Sequence, residues 1–198
     1  IINYVRRRSL NEPISKIIKK KQFWNSTFYV NRDVLDPRPE TEILVETLLR
    51  KVGKNKTILD LGTGSGCIAI SLAQERSDFQ VVGSDISDNA LAVAKRNAKS
   101  NGASVQFLIS DWFNSIDKKY DVIVSNPPYV SREEFVNLPR TVKNFDPKVA
   151  LLGGKDGLDC YRKIASSMSS YLKNNGLGFF EMGAGQKEKI VRIFLSFG

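Results

Sequence analysis

The chain contains no histidine in 198 residues. That absence removes the commonest general base and the commonest metal ligand, so acid–base work falls to carboxylates, tyrosine or the backbone. Cysteine is nearly as scarce. Cys67 and Cys160 stand far apart and match neither a disulfide framework nor a zinc spacing, so no metal site is expected. Two lone thiols fit a reducing, cytoplasmic setting. No apolar run approaches the roughly 20 residues that cross a bilayer. Ile1 and Ile2 give way almost at once to Arg6-Arg7-Arg8, so neither a membrane span nor a secretory signal is expected. Repeats and low-complexity stretches are also missing. The chain opens on Ile rather than Met, as a segment of a longer protein would.

What is present suits one α/β domain: 41% of the residues are hydrophobic, enough for a single sizeable core. The net charge of +9 is unevenly spread. Up to Lys21 the basic residues Arg6, Arg7, Arg8, Lys16, Lys19, Lys20 and Lys21 face only Glu12. Such a patch can meet nucleic acid or an acidic protein, and it can equally be bare solvated surface.

Residues 1–36 read as a basic, partly aromatic lead-in. The alternation at Phe28-Tyr29-Val30 predicts a short strand or hairpin there. Pro37-Arg38-Pro39 breaks the chain. A helix then starts at Pro39 with Glu40 and Glu42 in its first turn and Leu44, Val45, Leu48 and Leu49 as its apolar set. From Thr57 the pattern alternates: strand to Leu61, glycine-rich turn, helix from Cys67 to about Gln74, strand Gln80 to Ser84, helix from Asn89 to about Ser100. Ser87 or Asp88 can cap this last helix, and Gly102 follows its end. Strands at Val105 to Ile109, Tyr120 to Ser125 and Leu177 to Glu181 continue the series. A helix spans Leu158 to Leu172, and another starts near Gln186. Strand–helix alternation of this kind predicts a doubly wound, mostly parallel sheet over residues 37–198.

In such a sheet, ligands sit at the carboxyl ends of the strands. After the first strand, Gly62-Thr63-Gly64-Ser65-Gly66 lets the backbone turn tightly and approach a ligand without a Cβ in the way. Its GxGxG spacing differs from the GxGxxG of dinucleotide loops and fits a loop that binds S-adenosyl-L-methionine. The second strand ends in Asp85, where a carboxylate can accept from ribose hydroxyls; a turn or helix-capping aspartate is the plainer alternative. Asp111 and Trp112 follow the third strand, where a ring can stack on adenine and a carboxylate can accept from its amino group. Trp112 could also be core.

The fourth strand ends in Asn126-Pro127-Pro128-Tyr129. Two prolines fix φ and remove two donors, leaving acceptors at the strand end. An amide or aromatic amine nitrogen has a delocalised lone pair, so it attacks a sulfonium methyl only when accurately aimed. The Asn126 oxygen and the Pro127 carbonyl can accept the two NH2 hydrogens while positive charge develops. Tyr129 offers a face for a planar group.

On these residues the chain resembles the protein-(glutamine-N5) methyltransferases that modify the glutamine of the GGQ motif in peptide chain release factors. The likeness runs from NYVRRRSLNEPI through Phe23-Trp24, DPRPETE (Asp36 to Glu42), DLGTGSGCIAI, SDWF (Ser110 to Phe113) and SNPPYV to ALLGGKDGLDCYRKI (Ala150 to Ile164). NPPY alone is shared with adenine and cytosine N-methyltransferases; PRPETE and GGKDGL favour the glutamine enzymes. The resemblance implies a class I, Rossmann-like fold and catalysis within residues 37–198. It also implies cofactor contacts from Gly62 to Gly66, Asp85, Trp112 and Asn126, and a substrate clamp from Asn126 to Tyr129. Three departures stand out. Only the exit of the family's N-terminal helical domain is here, and its two last strands, which close one sheet edge, are absent. Locally, Asp36 replaces a usually apolar residue, while Lys16 and Lys19 replace an aromatic and a glycine. Two other functions compete: a nucleic-acid adenine-N6 methyltransferase, supported by NPPY and the basic charge, and a noncatalytic cofactor-binding module.

Overall fold

The computed structural model describes residues 2–197. Two short helices, α1 (Ile2–Ser9) and α2 (Ile14–Ile18), precede an antiparallel hairpin of β1 (Lys20–Phe23) and β2 (Ser26–Tyr29). The hairpin was expected; the helices were not, because α2 is a single turn and α1 buries no residue. Then come α3 (Pro39–Lys51), β3 (Thr57–Leu61), α4 (Cys67–Glu75), β4 (Gln80–Asp85), α5 (Asp88–Ser100), β5 (Val105–Ile109) and β6 (Tyr120–Ser125). Two short helices, α6 (Arg132–Asn137) and α7 (Arg140–Lys143), fill the connection to α8 (Asp159–Tyr171), β7 (Leu172–Phe180) and α9 (Lys187–Leu195).

Local chemistry explains the boundaries. Pro39 occupies the first turn of α3, Glu40 and Glu42 face its positive end, and Arg50 and Lys51 its negative end. Ser87 caps α5 by accepting from the Ala90 amide at 3.2 Å. Strand β7 begins five residues earlier than the hydrophobic pattern suggests. Leu172 pairs with Tyr120, and the ladder then slips before Val122 meets Leu177, so a polar, irregular stretch is held in the strand by its neighbour rather than by its own pattern.

The sheet is parallel, in the order β5-β4-β3-β6-β7. Alternate residues of β3 feed opposite cores. Ile58 packs with Val45, Leu48, Ile68, Leu72 and Val122 on one face, while Leu59 and Leu61 pack with Val82, Ile123, Phe113 and Ile164 on the other. The hairpin joins the first of these cores through Phe23 and Phe28, whose rings meet edge-on at 6.0 Å. Asn97, on α5, ties hairpin, helix and glycine loop together. Its oxygen accepts from the Tyr29 amide at 2.7 Å, and its NH2 donates to the carbonyls of Tyr29 and Ser65 at 3.0 and 2.9 Å.

Charges of the N-terminal segment are partly internal. Arg7 is paired with Glu12. Lys16 is buried, with its Nζ 2.8 Å from Asp36, 3.0 Å from Asp146 and within hydrogen-bond reach of the Asn31 and Val34 carbonyls. The basic face is therefore narrower than the residue list implies. Lys19 stands in the left-handed region, with φ 56°, at the end of α2.

At the sheet margin, Asp121 accepts from the Thr57 amide and hydroxyl at 2.9 and 2.7 Å and from Lys173 at 2.8 Å, tying β6 to its two neighbours. Burial pushes its pKa up, but the donors Lys173, Thr57 and Lys56 together hold it well below the ordinary value. The bound form is the ionised one, so this stability is present above the unfolded value of about 4 and is lost as pH falls below it. Asp121→Ala should lower stability at pH 7 by about 1.5 to 3 kcal/mol, and the gap to the parent should close in thermal melts taken at progressively more acid pH. Lys19→Gly should act in the other direction, raising stability by roughly 0.5 to 1 kcal/mol in denaturant titration, because glycine bears no left-handed penalty. A loss on that substitution would show that the lysine side chain outweighs its backbone cost.

Candidate active site

The chain runs outward from β3 through β4 to β5, then returns to place β6 on the opposite side of β3, so a crevice opens where the direction reverses. Leu61 and Ser125 lie side by side at that point, and the Ser125 hydroxyl donates to the Leu61 carbonyl at 2.6 Å. The glycine loop after Leu61 and the NPPY segment after Ser125 are thus neighbours by construction.

Between them lies a cavity of about 540 Å³. Of the residues singled out by sequence, Gly62, Gly64, Asp85, Asp111, Trp112, Asn126 and Pro128 line it. Thr63, Ser65, Gly66, Pro127 and Tyr129 do not. Thr63 is buried and donates to Asp60 at 2.6 Å, Ser65 is bound through its carbonyl by Asn97, and Gly66 starts α4 with φ 81° against Ile70 and Ala94. These three shape the loop from behind. Pro127 is buried. Tyr129 packs with Leu158, Tyr161 and Ile190, and its carbonyl accepts from Gln186 at 2.9 Å.

Asp85 combines the two roles weighed for it. Its carboxylate accepts from the amides of Gly64 and Ser87, at 2.9 and 3.0 Å, and it also lines the cavity. Burial raises its pKa against the pull of the amides of Ser87, Gly64 and Ile86. Fully buried Asp60, beneath the loop, is pushed up to about 7 by the same cause. Trp112 is half-buried beside the core of Leu59, Val82 and Ile123, so one side packs and the other faces the cavity.

Sequence reasoning missed much of the opposite wall: Val34, Leu35, Val149, Ala150, Leu152 and Cys160. These residues come from segments far apart in the chain, and even Ala150, Leu152 and Cys160, which lie within the ALLGGKDGLDCYRKI stretch, give no local sign that they face a cavity. The GGKDGL motif is legible only in retrospect. The Val130 amide donates to Leu151 and the Gly153 amide donates back to Val130, both at 2.9 Å. A Cβ at Gly157, whose φ is 78°, would collide with the Tyr129 carbonyl. The motif exists to lie flat against NPPY. Also missed were Thr41 and Glu181, which meet at Asn126: the Asn126 Nδ2 donates to Thr41 Oγ1 at 3.1 Å, and Thr41 donates to Glu181 Oε2 at 2.6 Å.

A concave, largely apolar wall facing the carboxylates of Asp33, Asp85 and Asp111 and a glycine loop, in which Gly62 and Gly64 leave space that a side chain would fill, suits a nucleoside joined to a positively charged group. Among the described residues no cluster of metal-binding side chains occurs, and no helix is long and apolar enough to cross a membrane.

The family model described as the methyltransferase small domain matches residues 30–143. A release factor glutamine methyltransferase of Buchnera aphidicola subsp. Acyrthosiphon pisum is 46% identical over 192 residues, covering 96% of this chain and 69% of that protein. Among solved structures, a methyltransferase from Pyrococcus furiosus has TM-score 0.68 at 18% identity, over 100% of this chain and 88% of that one. A chain of the Mtq2-Trm112 complex of E. cuniculi, described as responsible for methylating the eRF1 translation termination factor, has TM-score 0.59 at 23% identity, over 84% and 85%. The family model and the two structural likenesses together identify the fold as that of class I S-adenosylmethionine-dependent methyltransferases. With the glycine loop and NPPY meeting at the point where the sheet reverses and with close sequence identity along nearly its whole length, the chain belongs to the release factor glutamine methyltransferase family.

Proposed function

We propose that the chain transfers a methyl group from S-adenosylmethionine to the side-chain amide nitrogen of the GGQ glutamine in a peptide chain release factor. Its setting in this reading is the cytoplasm, where the unpaired Cys67 and Cys160 stay reduced. One observation carries the reading: Asn126 opens onto the cavity beside Gly62 and Gly64 while its NH2 is engaged by Thr41, which leaves its carbonyl oxygen as the group offered to a substrate. An oxygen acceptor there suits an amide or amine NH2. The likeness to release factor glutamine methyltransferases along 96% of the chain favours the release-factor amide over adenine.

When bound, S-adenosylmethionine supplies a methyl group made electrophilic by a positively charged sulfur. The residues do the rest by aim. Asp85 would accept from the ribose, Trp112 and Asp111 would hold the adenine, and the glycine loop would carry the rest of the cofactor. Asn126 and the carbonyl of Pro127, whose side chain is buried behind the wall, would accept the two amide hydrogens and so aim the nitrogen lone pair at the methyl and stabilise the charge that develops; the new carbon–nitrogen bond replaces the carbon–sulfur bond, and one of the two amide protons is released to solvent. The Pro128 and Tyr129 segment, braced by residues 151–157, bounds the channel for the planar amide. Residues 37–198 carry most of this machinery, and residues 1–36 brace it through the hairpin and add Asp33, Val34 and Leu35 to the cavity wall.

Asp85→Ala should weaken S-adenosylmethionine binding about 10- to 150-fold, the equivalent of one charged hydrogen bond of roughly 1.5 to 3 kcal/mol. Binding by the parent should also decline on the acid side from a higher pH than an ordinary carboxylate allows, since burial raises the Asp85 pKa and the protonated form loses acceptors. Calorimetry across pH checks both, and an unchanged affinity in the variant removes Asp85 from the cofactor site.

Asn126→Ala deletes the acceptor but leaves the proline-fixed backbone. The rate of methyl transfer should fall roughly 10²- to 10³-fold, or about 3 to 4 kcal/mol, with a much smaller change in cofactor affinity. Single-turnover methylation of a GGQ-containing release factor at saturating cofactor reads this step directly, with duplex DNA and RNA as competing substrates. Methylation of the nucleic acid in place of the release factor would overturn the assignment.

A further inference from the structure

An asparagine side chain has nearly the same shape with its oxygen and nitrogen exchanged, so an amide used as an acceptor must have its direction set by something else. At Asn126 the wrong direction would aim an NH2 at a substrate NH2. The surroundings of Asn126 exclude that arrangement through a chain of donors that runs one way. Asn126 Nδ2 donates to Thr41 Oγ1 at 3.1 Å, and Thr41 donates its single hydroxyl hydrogen to Glu181 Oε2 at 2.6 Å. An ionised carboxylate only accepts. Because Glu181 takes the Thr41 hydrogen, Thr41 has only lone pairs left for Asn126, and only the nitrogen of the amide can meet them.

The anchor of this chain is itself held in place. The Glu181 amide donates to the Ser125 carbonyl at 3.1 Å, and the hydroxyl of buried Tyr161 donates to the Glu181 carbonyl at 2.7 Å. Thr41 is 2% exposed, so it cannot touch a substrate. Neither Thr41 nor Glu181 lines the cavity. We propose that Thr41 and Glu181 are positioning residues that fix the polarity of the Asn126 amide, turning its oxygen toward the substrate nitrogen. This rests on the reading of Asn126 as the substrate's acceptor.

The test compares Thr41→Val, which keeps shape and loses the hydroxyl, with Thr41→Ser, which keeps the hydroxyl and loses the methyl. Glu181→Gln, whose amide can donate as well as accept, tests the anchor without depending on the folding of either threonine variant. In single-turnover methylation of a GGQ-containing release factor, Thr41→Val and Glu181→Gln should slow transfer on the order of 10- to 100-fold, the range met when contacts that orient metal ligands are removed. S-adenosylmethionine affinity and release-factor KM should stay within about twofold, and Thr41→Ser within about threefold of the parent rate, as expected for one retained hydrogen bond. Parental rates in Thr41→Val and Glu181→Gln would overturn the proposal. So would an equal loss in Thr41→Ser, or a loss matched by cofactor affinity.

A second readout needs no substrate. In nitrogen-15 spectra the Asn126 NH2, identified by its disappearance in Asn126→Asp, should be protected from solvent exchange in the parent and unprotected in Thr41→Val. An NH2 equally exposed in both sinks the positioning role whatever the activity. If the parent methylates no release factor while its NH2 is protected and Thr41-dependent, the positioning stands and the substrate assignment fails.

Discussion

Everything at the site depends on the parallel pairing of β3 with β6. That pairing sets Leu61 beside Ser125, and the Ser125 hydroxyl locks the two strand ends together through the Leu61 carbonyl. A one-residue slip would send the inward side chains of β6 to the opposite face, since strand side chains alternate. Ile123 and Val124 belong to different cores, so such a slip would mispack both cores at once. The register that buries the core is the register that brings the glycine loop to NPPY. Packing energy and catalytic geometry are secured by the same contacts.

The lack of histidine shapes what that geometry can do. Chemistry here has no imidazole to lean on, and Asp60, pushed up to about 7, is buried beneath the loop and does not line the cavity, so it leans on aim: fixed carbonyls, an amide of set polarity, and a wall of aromatic and aliphatic groups. Carboxylates remain, yet burial pushes Glu181 and Asp85 upward, and both already accept hydrogen bonds. Their work is to hold other groups in direction. A weak nucleophile with a delocalised lone pair gains more from such orientation than from a base.

Most of the architecture was readable from local pattern, and the site only in part. β3, α3 and α5 combine clear periodicity with proline, serine and glycine punctuation, and their boundaries fall where those signals lie. Gly62, Gly64, Asp85 and Asn126 stand at strand ends, so the doubly wound pattern was enough to bring them together. Tyr129 shows the limit. Its motif context suggested a stacking face; the ring is half-buried against Leu158, Tyr161 and Ile190, which lie far along the chain, and that packing left no mark in the local sequence. The role of Thr41 was equally hidden, because a helical threonine between two glutamates gives no sign that a residue 140 positions away accepts its proton.

Lys16 and Asp36 carry this point further, because each looked like an isolated departure from the family and the fold places them 2.8 Å apart. Where the resemblance implies an aromatic and an apolar residue, this chain holds a buried ion pair, extended by Asp146 and through it to Arg38 at 2.8 Å. Such an exchange is roughly neutral when both partners change, and costs about 3 to 5 kcal/mol when one stands alone. The two departures are therefore one event in physical terms. The cluster also has a place in the function. Lys16 holds the Val34 carbonyl and Asp146, which adjoin the cavity-lining segments Asp33 to Leu35 and Pro147 to Ala150. The missed wall of the cavity is thus clasped from behind by a lysine counted, on sequence alone, as surface charge.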